Sequence, residues 1–350
     1  MFSTPSCPTA IPTGVPPTSS CGWKTLTAAS SDPDAAARVR RIPFLVGPTA
    51  CGKTDVALEL NRRTGRTLLS IDARQVYRGL DAATGKPESK EERRLHRLID
   101  IWEPTERGSA GRFARRFYEE VERLGEGGCL AVGGSGLYLD AVLGRIDPMP
   151  PVDPRLRGAL QREWDARGGA TLYEELQRLD PETAARLAPR DRQRILRALE
   201  VVRQTGRPLS AWQTSGHGPL DVSGGPPIIV LLRDRNDLRR RIEARCRAMA
   251  AGGLEEEIRA LLDRGVPEDA PGFKTLGYAE WLPVFQGRAD RVETMERFIV
   301  NTWHYARRQM TWFRNRYTGT REIVLDPDTT PQAAADRAQE VWARPTNERR

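Results

Sequence analysis

Over the first third of the ordered sequence, short apolar runs alternate with helical stripes. Ile42-Pro43-Phe44-Leu45-Val46 is an apolar run closed by Gly47, and it predicts a buried strand. Val56-Ala57-Leu58-Glu59-Leu60 follows a glycine-rich turn and predicts a helix. Thr67 to Ile71 predicts a second strand ending at Asp72, Leu98-Ile99-Asp100-Ile101 a third, and Cys129 to Val132 a fourth, closed by Gly133-Gly134. Before that fourth run, residues 110–124 place Phe113, Phe117, Val121 and Leu124 on one helical stripe. Short strands alternating with helices imply an α/β fold with a mostly parallel sheet.

The rhythm then changes. Residues 147–222 read as helix after helix, over 153–167, 171–179, 181–187 and 191–204, punctuated by proline and glycine. They predict an all-helical insertion. Ile228 to Leu232 returns to strand, 237–264 predicts helix broken near Gly252-Gly253, and 291–316 predicts one long helix rich in aromatics and arginines. The expected core is therefore 39–146 with 223–325. Residues 1–38, rich in Pro, Ser, Thr and Ala, are expected to be a disordered extension, and 326–350 a frayed tail.

Composition narrows the picture. No stretch of the 350 residues approaches the roughly 18 apolar residues a membrane helix needs. Five cysteines without a CxxC pair and three scattered histidines argue against a zinc site, and an odd cysteine count fits a reduced, cytoplasmic protein, expected to be a monomer. A net charge of +8 suits a polyanionic partner. Lysine is rare: Lys24, Lys53, Lys86, Lys90 and Lys274 are the five, and the remaining basic charge is arginine. A compact ammonium kept in such a background marks places where a planar guanidinium does not serve.

Gly47-Pro48-Thr49-Ala50-Cys51-Gly52-Lys53-Thr54 fits GxxxxGK[ST], with a strand before and a helix after. Backbone amides there converge on phosphate oxygens, helped by the helix N-terminus. Lys53 would reach the terminal phosphates, and the Thr54 hydroxyl would ligate Mg²⁺, the one cofactor expected. The loop says phosphate rather than ATP. The fourth strand ends in Gly133-Gly134 where an NTP-hydrolysing relative would carry an acid, and the acid stands instead at Asp72, at another strand end. Two other readings remain open at this point: a small-molecule kinase whose helical insertion is a lid, and a non-catalytic RNA-binding protein.

The chain resembles the tRNA dimethylallyltransferase (IPP transferase) family. The loop is similar to GPTASGKT. Ser70-Ile71-Asp72-Ala73-Arg74-Gln75-Val76-Tyr77-Arg78-Gly79-Leu80-Asp81 is similar to S-x-D-S-x-Q-x-Y-x-G-x-D, and Thr84-Gly85-Lys86-Pro87 to T-A-K-P. His96, Leu98-Ile99-Asp100, Val132 to Tyr138, Asp191 to Arg194 with Arg197 to Val201, Gly277-Tyr278 and Arg307 to Phe313 follow in family order. Three positions depart from the pattern: Cys51 and Ala73 stand where serine is usual, and Ser135 where threonine is usual.

The resemblance implies a P-loop-type sheet with a helical insertion that grips the tRNA anticodon stem-loop. It implies dimethylallyl diphosphate as donor and, as acceptor, N6 of the adenosine just 3′ of the anticodon. The catalytic set it implies is Asp72 as base with Lys53, Thr54 and Ser135. The diphosphate set is Gly47 through Thr54 with Arg241 and Arg245, where Pro48, Thr49, Ala50 and Gly52 lie in the loop. The tRNA set is Asp72, Ala73, Arg74, Gln75, Ser135, Arg157, Gln193, Arg194, Ile195, Leu196, Arg197, Phe273, Lys274, Thr275, Leu276, Gly277, Tyr278, Arg307 and Arg308.

Overall fold

The computed structural model describes residues 38–39, 41–147, 149, 153–213, 220–222 and 227–343. The expected extension lies outside them apart from its last residue, as does the end of the tail from 344.

The chain opens with β1 (Phe44–Val46), α1 (Lys53–Thr64), β2 (Thr67–Ile71), α2 (Lys90–Leu95), β3 (His96–Arg97), α3 (Ala110–Leu124), β4 (Cys129–Gly133) and α4 (Gly136–Val142). The helical insertion follows as α5 (Pro154–Arg167), α6 (Gly169–Leu179), α7 (Pro181–Ala185), α8 (Arg192–Thr205) and α9 (Leu209–Trp212). The chain then returns through β5 (Leu220–Asp221), β6 (Ile228–Arg233), α10 (Arg235–Ala251), α11 (Leu254–Asp263), α12 (Tyr278–Phe285) and α13 (Arg291–Arg316). It ends with β7 (Tyr317–Thr318), β8 (Arg321–Leu325) and α14 (Pro331–Ala343).

Six strands form one sheet in the order β3-β2-β4-β1-β6-β8, and every pairing in it is parallel. The expected α/β fold is therefore present. A parallel strand covered on both faces must be apolar throughout, which is why β1 reads as a continuous run; it is buried along its length between β4 and β6. On one face α3 packs through Phe113, Ala114, Phe117 and Val121, after Ser109 caps it by accepting from the Arg112 amide. Phe117 stacks on Phe44 of β1 with centroids 6.3 Å apart. Phe117→Ala would remove that contact and cost about 3–5 kcal/mol.

The insertion has a core of its own. Leu160, Leu172, Leu176, Ile195, Leu199 and Val201 meet there, separate from the sheet's core. Asp191 starts α8 by accepting from the Arg194 amide, and Gly206 ends it in a left-handed conformation.

Three expectations are corrected. Leu98 to Ile101 is not a strand, because Leu98 and Asp100 take left-handed φ values of 67° and 54°. Pairing stops at Arg97, and the turn delivers the Asp100 carboxylate to Lys86. The tail does not fray directly after 325. Its helix α14 buries Ala334, Ala335 and Ala338, a stripe of small side chains that lets it approach closely, and Arg63 of α1 reaches across to Gln339 at 2.9 Å. Finally, the insertion ends before 222. β5 pairs in parallel with β7, and Val222 belongs to the main core.

Candidate active site

The carboxyl ends of β1, β4 and β2 lie side by side, so the turns that follow them share one crevice. From β1 comes the P-loop. Gly52 precedes α1 with φ 100° and no side-chain cap, which leaves the first-turn amides uncommitted to a side chain. Two arginines brace the loop from outside. Arg233, at the end of β6, donates from Nε to the Cys51 carbonyl at 2.9 Å, and Arg241 of α10 donates from Nε to the Ala50 carbonyl at 3.0 Å. With the Cys51 carbonyl held by Arg233, the trans peptide turns the Gly52 amide the opposite way. Lys53 donates to the Pro48 carbonyl at 2.6 Å. Burial lowers the pKa of its ammonium below 10.5, the thiol of Cys51 and the carboxylate of Asp72 oppose that shift, and Arg245 and Arg74 add to it.

From β4 comes Gly133-Gly134-Ser135. The two glycines are required by close approach: a Cβ at Gly134 would lie 2.3 Å from Nε2 of Gln309 and 2.9 Å from the Gly47 carbonyl. Gln309 of α13 fills that gap. Its Oε1 accepts from the Thr49 amide and its Nε2 donates to the Gly134 carbonyl, both at 2.8 Å and both buried. One side chain thus locks the phosphate loop to the neighbouring strand end.

From β2 comes Asp72, 9% exposed. Its Oδ1 accepts from the Arg74 amide at 2.9 Å, and the Arg74 guanidinium grips both carboxylate oxygens, at 3.3 and 3.2 Å. Burial pulls the Arg74 pKa down, but the Asp72 charge and Tyr305 outweigh it, and the net shift is upward. Ser135 accepts from the Ala73 amide at 2.8 Å, tying the β4 turn to the β2 turn. Gln75 donates to the Gly85 carbonyl at 2.8 Å and accepts from Ser70 at 2.6 Å.

Arg245 of α10 completes the crevice. A Cβ at Gly85, where φ is 68°, would lie 1.8 Å from its Nη2, so this glycine leaves the guanidinium its place. Burial lowers the Arg245 pKa, the charge of Arg74 lowers it further, and Asp72 opposes both.

The rare lysines divide. Lys53 is in the loop. The fully buried Lys86 ammonium donates to the Tyr77 carbonyl, to Asp81 at 2.8 Å and to Asp100 at 2.6 Å. Three donors meet three acceptors, a fit that a guanidinium fork would not make. Lys86 is a structural post. Lys274 is exposed, next to the buried Phe273 and Thr275.

Other expected residues fall elsewhere. Ile195 and Leu196 lie in the insertion's core, so their side chains cannot face RNA; they anchor α8, whose exposed Gln193 and Arg194 can. Arg157 and Arg197 both pair with the buried Glu200. Gly277 and Tyr278 are buried too, Leu276 is half-buried, and the Tyr278 hydroxyl donates to Glu257. Arg307 and Arg308 are exposed on α13. Trp312 covers Gly136, and Phe313 is core.

Sequence reasoning gave no role to Arg233, Gln309 or Tyr305. A charged residue closing an apolar strand flags Arg233 by the strand-end rule. Gln309 lies four residues after Tyr305, on one helix face, and a neutral amide following two arginines is a weak signal by itself.

The family model described as IPP transferase matches residues 75–316. A tRNA dimethylallyltransferase from Halorhodospira halophila is 43% identical over 286 residues, covering 81% of this chain and 92% of that protein.

The chain belongs to the IPP transferase family.

Another relative, a tRNA dimethylallyltransferase from Gloeobacter violaceus, is 42% identical over 79% of this chain and 90% of its own length. The crystal structure of the full-length tRNA isopentenylpyrophosphate transferase from Bacillus halodurans aligns with a TM-score of 0.61 at 30% identity, covering 87% of this chain and 96% of that one. A eukaryotic dimethylallyltransferase acting on tRNA shares the fold, with a TM-score of 0.66 at 21% identity over 88% of this chain and 81% of that one. Among the described residues, no helix is long and apolar enough to cross a membrane.

Proposed function

We propose that this chain transfers the dimethylallyl group of dimethylallyl diphosphate to N6 of the adenosine immediately 3′ of the anticodon, in tRNAs reading codons that begin with U. The observation that carries the chemistry is the shared crevice: a phosphate loop on β1 and a carboxylate after β2, with the β4 turn between them tied to the loop by Gln309 and to the β2 turn by Ser135. A kinase reading would need the acid after β4, where Gly133-Gly134-Ser135 stands.

The diphosphate seats on the amides around Gly52, with Lys53 and Arg245 opposite its charge. The exocyclic amine is a poor nucleophile because its lone pair is delocalised into the ring. Asp72 accepts a proton from N6, a step worth roughly 10²–10⁴-fold. The new bond joins N6 to the allylic carbon. The bond from that carbon to the bridging oxygen breaks, and its electron pair leaves on the diphosphate. Preorganised donors around Gly52 meet that growing charge without rearranging.

Thr54 would hold Mg²⁺ beside the diphosphate. Thr54 is half-buried in the first turn of α1, and Mg²⁺ commonly takes few protein oxygens, with substrate phosphates and waters completing its shell. No group of three His, Cys, Asp or Glu side chains able to cage a metal occurs among the described residues, so Thr54 would hold the ion together with the substrate. When bound, the metal neutralises charge on the leaving group.

The helical insertion and α13 offer Gln193, Arg194, Arg307 and Arg308 to the anticodon stem-loop. We place the protein in the cytoplasm as a monomer. The testing experiment is Asp72→Ala: tRNA affinity is retained and turnover falls at least about 10²-fold. Full turnover in that variant would remove Asp72 as the base.

A further inference from the structure

The Asp72 carboxylate is already occupied on one side. An ionised carboxylate offers about four lone-pair sites. The Arg74 amide and Nε take two on Oδ1, and Nη2 takes one on Oδ2. One site on Oδ2 remains for an incoming N–H. Arg74 is held in turn by the Tyr305 ring, whose centroid lies 4.9 Å from the guanidinium carbon. Tyr305 belongs to α13, the helix that also carries Gln309 and the exposed Arg307 and Arg308.

We propose that Arg74, braced by the Tyr305 ring, is the positioning residue that aims the single open lone pair of Asp72 at the adenine amine. The inference rests on the reading of Asp72 as base. A carboxylate held by one backbone amide alone turns about its terminal torsion, which is broad and roughly two-fold. A two-pronged guanidinium fixes that torsion, and the ring fixes the guanidinium. Neither residue touches the reacting atoms. Their effect falls on the orientation of a group that does, and so on kcat rather than on substrate binding.

The test compares Arg74→Met, Arg74→Lys, Tyr305→Leu and Tyr305→Phe with Asp72→Asn, measuring kcat, KM for dimethylallyl diphosphate and Kd for tRNA. Arg74→Met is expected to lower kcat on the order of 10–10²-fold, as loss of orientation does, with KM and Kd within about twofold. Arg74→Lys, which restores charge without the fork, recovers part of the loss. Tyr305→Leu falls between wild type and Arg74→Met, whereas Tyr305→Phe keeps the ring face, loses only the hydroxyl's hydrogen bond to Ser135, and is faster than Tyr305→Leu.

Two double variants carry the decisive readout. Arg74→Met with Tyr305→Leu should be no slower than Arg74→Met alone, and Arg74→Met with Asp72→Asn no slower than Asp72→Asn alone, since groups acting as a unit are not additive. Additive losses would overturn the proposal, as would an unchanged kcat in Arg74→Met while Asp72→Asn is inactive. An active Asp72→Asn would instead remove the base assignment itself. If Arg74→Met does not fold, the contrast between Tyr305→Leu and Tyr305→Phe decides: equal rates in the two overturn the proposal.

Discussion

Gln309 can be removed with little change in volume by Gln309→Met, which deletes both of its amide hydrogen bonds. The Thr49 amide and the Gly134 carbonyl each lose a partner at 2.8 Å, at a site where Gln309 itself is only 5% exposed. An orphaned buried polar group costs about 1–3 kcal/mol, so the pair costs about 2–5 kcal/mol after some relaxation. At about 2–4 °C per kcal/mol for a domain of this scale, the midpoint should fall by about 4–20 °C. Circular dichroism during heating measures this, with the exposed Asn315→Ala on the same helix as a control expected to stay within about 0.5 kcal/mol. Isothermal titration with inorganic pyrophosphate measures the second consequence, weaker binding, because the Thr49 stretch of the cradle is no longer pinned. A Gln309→Met variant with wild-type midpoint and wild-type pyrophosphate affinity would refute the clamp.

Other outcomes follow from the same contacts. Lys86→Met strands Asp81 and Asp100 with only Arg93 between them; it should cost about 3 kcal/mol, the lower end for breaking a buried pair, measured by urea unfolding. Pyrophosphate affinity should be full while Lys53 is protonated and fall as pH rises through its lowered pKa, so the decline begins below 10.5; affinity that stays flat up to that pH would contradict the lowered pKa of this ammonium. Affinity for tRNA should fall steeply and linearly on a log–log plot against salt, from counterion release, and a flat response would exclude a phosphate-gripping surface.

Much of this fold is legible in the sequence because its strands are buried on both faces and its helices carry caps. The stripe of α3, the Asp191 cap of α8 and the break before Leu254 all lie where the residues place them. The strand expected at Leu98 was not, because an apolar run does not reveal the left-handed turns at Leu98 and Asp100. β8 and α14 escaped notice because their signals are weak: β8 alternates between buried and exposed positions, and α14 buries alanines. The loop and Asp72 announce themselves by motif and strand end. Gln309, Arg233 and Tyr305 serve the crevice through contacts spanning up to 260 residues, which no local spacing encodes. Ile195 and Leu196 were misplaced for the converse reason: a stretch matched as a block contains both the exposed face and the buried face of one helix.

The account stands on a diphosphate and an adenine amine meeting between the loop after β1 and the carboxylate after β2. Mass spectrometry of nucleosides from unmodified tRNA, incubated with the pure protein, Mg²⁺ and dimethylallyl diphosphate, tests this directly. N6-isopentenyladenosine at the position 3′ of the anticodon, with matching release of diphosphate, is the expected result. Unmodified adenosine there, accompanied by phosphoryl transfer from ATP to a small acceptor in a parallel incubation, would contradict it.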